Sequence, residues 1–220
     1  MTENQANSAP TPHTARLLSG VEALASLFFN IIPLIGVLVW HWSAFAVVFL
    51  YWLENVAIGG RTVLSILSLD SRGAGAPWLA KLGAAAFFLL HYGLFCFVHG
   101  IFVVAMFGDS AQASVNPSDL FGATAILLAE QFNMAMGLLA IVLWQLAEFL
   151  FFLVRSRREA PSITALMKAP YLRIGILHVT IIFGGFLLMM LGWPVIGVVA
   201  LVVFKTGYDW FWAGREARRR

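Results

Sequence analysis

Glu54, His91, His99, His178, Lys205 and Asp209 all stand inside runs of apolar residues. In hydrocarbon an unpaired charge costs at least ~2.5–3.5 kcal/mol, so each needs a partner and each is a candidate for function. Their types suit several chemistries. His91 and His178 as neutral imidazoles, with a carboxylate from Glu54 or Asp209, would hold a divalent metal and leave one position open for water. A catalytic version uses Glu54 as general base, Lys205 as electrostatic stabiliser and Asp209 beside it, for hydrolytic or redox work on a substrate reached from the inner leaflet. A proton relay would run from Asp209 through Lys205, His178 and His91 to Glu54, with His99 continuing outward. Haem held by His91 and His178 ranks last among these readings. The plainest alternative is a polar lock, in which these residues and Asn55, Arg61 and Arg173 join helices at ~0.6 kcal/mol per interhelical bond.

The composition says what surrounds these residues. The chain has 220 residues, 60% hydrophobic and 11% charged, with 19 Phe and 8 Trp. Soluble domains carry about 25% charged residues, so lipid is the expected solvent. A net charge of +3 sits in short loops and the C-terminal tail rather than on a basic face, which argues for anionic lipid and against nucleic acid as its partner. The lone Cys96 excludes an internal disulfide and any CxxC metal site. No HExxH, HxxEH or GxSG-like motif is present.

A span needs roughly 20 apolar residues. By that measure the chain is all-α, a polytopic bundle of about six transmembrane helices over 21–40, 43–67, 82–107, 132–154, 171–191 and 195–212. These form one transmembrane domain over 18–213, between a disordered tail at 1–17 and a basic tail at 214–220. No signal peptide is expected, because the first apolar stretch can span and no small-residue cleavage site follows it. Residues 119–131 read as an interfacial or re-entrant helix capped by Ser118, and 163–168 as a short surface helix. Arg16, Arg72, Lys81, Arg155, Arg157, Arg158, Lys168 and the terminal arginines all fall on one side of this arrangement, and the alternate loops hold no Lys or Arg. The expected topology is N-in, C-in, with both termini in the cytoplasm. Trp40, Trp42 and Trp193 would mark the outer interface, and Trp78, Trp210 and Trp212 the inner one.

That topology fixes depths at 1.5 Å per residue from each inner end. Asp209 falls at roughly 5 Å, Glu148 and His178 at roughly 10 Å, Lys205 at roughly 11 Å, His91 at roughly 14 Å, and Glu54 and Asn55 at roughly 18 Å. His99 stands apart at roughly 25 Å. Matched depth pairs His91 with His178. Helical spacing puts Lys205 with Asp209, and Glu54 with Arg61, on shared faces. Gly59, Gly60, Gly93, Gly100, Gly184 and Gly185 would let helices approach closely.

The strings YWLEN (Tyr51 to Asn55), HYGLFCFVHG (His91 to Gly100), PYLRIGILHVTIIFGGF (Pro170 to Phe186) and KTGYD (Lys205 to Asp209) resemble a family of bacterial multi-pass membrane proteins known only as a domain of unknown function. The resemblance covers most of the membrane region. It implies that Glu54, Asn55, His91, His99, Arg173, His178, Lys205 and Asp209 are signature polar positions, and it implies no activity. Glu148 lies outside that pattern.

Overall fold

A computed structural model of the chain describes residues 35–36, 39–69, 77–107, 116, 118–130, 132–156, 161–171, 174–175, 178–179 and 207. Among the described residues all regular structure is helical: α1 (Ala44–Ser68), α2 (Trp78–Phe107), α3 (Leu120–Glu130), α4 (Phe132–Ser156) and α5 (163–171). Three of these, α1, α2 and α4, are long and apolar enough to cross a membrane. Their 25, 30 and 25 residues rise about 37, 45 and 37 Å, against a hydrocarbon core of about 30 Å. The expected spans over 43–67, 82–107 and 132–154 correspond to them. The first, fifth and sixth expected spans, over 21–40, 171–191 and 195–212, lie largely outside the described residues.

Local chemistry sets several of the helix ends. The turn before α1 puts His41 in the left-handed region at φ 54, which His tolerates better than most non-glycine residues. Ser43 then caps α1, its Oγ accepting from Ala46 N at 3.1 Å. At the other end, the buried Lys81 (5% exposed) donates from Nζ to the carbonyl of Leu69, the C-cap of α1. A cation at that end complements the helix dipole. Asp119, rather than the expected Ser118, caps α3: its Oδ1 accepts from Gly122 N at 2.8 Å, while Ser118 donates from both N and Oγ to Asn116 Oδ1. Ser162 caps α5 through Ala165 N.

α1 is the centre of the bundle, packed most extensively on α2 and then on α4. Two apolar clusters form along it. The one toward the start of α1 includes Trp42, Phe49, Trp52, Val104, Leu120 and Met134, so it joins α1 to α2, α3 and α4. The other, around Ile66, Phe88, Tyr92, Cys96 and Ile174, seats α5 through Ile163, Leu166 and Met167. The expected surface helix is therefore docked on the bundle, and it is helical beyond residue 168, at least as far as Tyr171. Trp42, expected at the outer interface, turns into the first cluster, whereas Trp40 and Trp78 are exposed. α4 turns Leu139, Val142, Leu143, Leu146 and Leu150 outward, a face suited to lipid.

Candidate functional site

The YWLEN and HYGLFCFVHG strings face each other across α1 and α2, and two of their side chains, Trp52 and Tyr92, hold the two helices together. Tyr92 lays its ring over Gly59, where an added methyl would stand 2.7 Å from the ring, and its hydroxyl donates to Asn55 O at 3.1 Å. Trp52 repeats the arrangement in reverse. Its ring covers Gly100, with a methyl there 2.7 Å away, and its Nε1 donates to Cys96 O at 2.8 Å. In both cases an aromatic ring fills a glycine notch and its polar tip binds the carbonyl four residues earlier. Antiparallel packing makes the two locks reciprocal. Gly60 and Gly93, also expected at close approaches, have open space beside them. Asn55 is buried and spends its Nδ2 on Tyr51 O at 2.9 Å.

A second polar contact joins α1 to α4. Arg61 Nη1 lies 3.6 Å from Glu148 Oε2, the two side chains 28% and 30% exposed. The sequence places Arg61 on one face of its helix with Glu54 and leaves Glu148 outside the family pattern; this ion pair joins Arg61 to α4. Gln145, one turn before Glu148, is buried, and its Oε1 has no hydrogen bond among the described residues.

The histidines are arranged differently from the depth count. His178 sits against His99, not His91: the two Nδ1 atoms are 3.4 Å apart, and the rings, 4.8 Å between centroids, cross at 77°. Phe95 flanks both rings. His99 is 1% exposed, and its Nε2 has no hydrogen bond among the described residues. His91 is exposed midway along α2, stacked on Phe87 and beside Tyr171.

The register of α5 explains the exchange. The count placed Tyr171 at the inner edge of the membrane, but Tyr171 packs on Phe88, His91 and Tyr92, thirteen residues or so into α2. Seven residues on from Tyr171, His178 therefore meets a residue seven or eight beyond His91, which is His99.

The set of two histidines and a carboxylate is not assembled among the described residues, where no three His, Cys, Asp or Glu side chains gather. Glu54 is half-buried on α1. Arg173, Lys205 and Asp209 lie outside the described residues.

Residues 13–220 match a family of unknown function, DUF6498. The chain belongs to that family. No curated protein and no solved structure matches it. DUF6498 membership covers both the α1–α2 locks and the His99–His178 contact.

Proposed function

We propose that this membrane protein binds a transition-metal ion between His99 and His178. The observation that carries the reading is the 3.4 Å separation of the two Nδ1 atoms. That is long for a hydrogen bond between ring nitrogens, whose usual range ends near about 3.2 Å. It is also the separation that two imidazoles adopt around a tetrahedral metal with bonds of about 2.0–2.1 Å, namely about 3.4 Å. Burial of His99 and the flanking Phe95 exclude competing water. The bundle would lie in a bacterial inner membrane, N-in and C-in, with Arg155 and Lys168 at the cytoplasmic surface facing anionic lipid.

The test is metal analysis of the purified full-length protein. Stoichiometric metal is expected in the wild type and in His91→Ala, and its loss is expected in His99→Ala and His178→Ala. Metal retained by both of the latter variants, or absent from the wild type after incubation with Zn(II) and Cu(I), would refute the reading.

A structural reading competes for the remaining signature residues, and the Trp52–Cys96 and Tyr92–Asn55 hydrogen bonds favour it there. On this view Trp52, Asn55, Gly59, Tyr92 and Gly100 keep α1 and α2 in register and take no part in metal binding.

A further inference from the structure

The donor set restricts which metal the histidine pair can hold, and this step rests on the metal-binding reading above. Both facing donors are imidazole Nδ1 atoms, and imidazole binds a metal only in its neutral form. His99 is fully buried, and an aromatic ring flanks both imidazoles, the Phe95 centroid lying 6.3 Å from that of His99 and 5.5 Å from that of His178. Among the described residues no carboxylate or thiolate joins the pair to form a set of three. The desolvation cost of an ion grows with the square of its charge, so a dication costs about four times as much as a monocation of similar size. Two neutral donors offset little of that difference. Imidazole is a good ligand for copper; trigonal coordination of a filled-shell monovalent ion, with bonds of about 2.0 Å, also sets two nitrogens about 3.4–3.5 Å apart, and it leaves one position to fill where tetrahedral Zn(II) leaves two.

We infer that the His99–His178 pair is selective for a monovalent d10 cation, Cu(I), over Zn(II). Ag(I) is the redox-inert probe for the same site.

The experiment uses the full-length protein in detergent under anaerobic conditions. Cu(I) is titrated in competition with a colorimetric Cu(I) chelator, and Zn(II) in competition with a zinc dye. His178→Ala, His99→Gln and His91→Ala are run in parallel. One Cu(I) per chain is expected in the wild type and His91→Ala, lost in the other two, with Zn(II) bound at least about tenfold more weakly. Because His99→Gln alters a buried position, Ag(I) is also added to wild-type protein with 15N-labelled histidine. Only two of the five imidazoles, those of His99 and His178, are expected to shift. Zn(II) bound by the pair as tightly as Cu(I) would overturn the selectivity and leave the metal-binding reading standing. No metal bound, or Ag(I) shifting other histidines instead, would overturn both.

Discussion

Trp52 and Tyr92 each do two jobs, filling a notch and binding a carbonyl, and substitutions can separate the two. Trp52→Phe keeps a ring against Gly100 but removes the N–H that reaches Cys96 O. Interhelical hydrogen bonds in membranes average ~0.6 kcal/mol and reach ~1.7 kcal/mol, so a loss in that range is expected by denaturant or thermal unfolding in detergent. Gly100→Ala should cost more, about 1–3 kcal/mol, because its methyl would meet both the Trp52 indole and Leu120 at under 3 Å. Gly60→Ala is the control: nothing lies within 4 Å of the added methyl, and a change within about 0.5 kcal/mol is expected. If Gly60→Ala is as damaging as Gly100→Ala, the notch account fails. Gly59 and Gly100 were legible in the sequence as sites of close approach, but the same reading also named Gly60 and Gly93, which have no such neighbour among the described residues. The partners of Gly59 and Gly100 were not legible, because a glycine pattern marks a thin place on one helix without saying which side chain of another fills it.

Between elements, the most informative contact is the ion pair linking α1 to α4. Arg61 and Glu148 each keep nearly a third of their surface open, so solvent or headgroup screening reduces their coupling. A double-mutant cycle with Arg61→Met and Glu148→Gln should return a coupling of about 1 kcal/mol, below the 3–5 kcal/mol for breaking a fully buried pair. Additive single-mutant losses would show that the two side chains do not act together. Depth counting is compatible with this pair, since Arg61 and Glu148 lie seven and eight residues from the ends of their helices, roughly 10–12 Å, but the sequence reading joined Arg61 only to the face of Glu54. The same counting misplaced His178. The difference lies in the boundaries. α1 and α4, described to Ser68 and Ser156, lie close to their expected inner ends at 67 and 154, whereas Tyr171 was taken as an end when α5 begins at residue 163 and is already docked there. Pro170 encouraged the error. It reads as a helix boundary in sequence, yet it lies buried inside α5, where neighbouring helices tolerate the lost N–H donor.

At the scale of the whole molecule, hydrophobic length alone located α1, α2 and α4, because an apolar stretch of 23 or more residues leaves the chain few alternatives in lipid. It also located α3, though eleven residues cannot cross. Leu120, its first residue, touches Gly100, seven residues short of the end of α2, so α3 starts beside α2 rather than beyond it. Orientation rests on a different signal, the loop charges, and makes a separate prediction. The link around residues 70–76 and the loop around 157–160 carry Arg72, Arg157 and Arg158, while the segment 108–115 carries no Lys or Arg. α1 and α2 are antiparallel, and Lys81 holds their near ends together by binding the Leu69 carbonyl. The 70–76 link must therefore lie on the opposite side from 108–115 if α2 crosses. Fusions of a cytoplasm-active fluorescent reporter should be bright at 70–76 and 157–160 and dark at 108–115, and fusions of a periplasm-active phosphatase should give the reverse. If both reporters are active at 108–115, the orientation is mixed. If the pattern is inverted, loop charge has misled, and the His99–His178 pair, about 12 Å from the Phe107 end of α2, would open toward the cytoplasm instead of away from it.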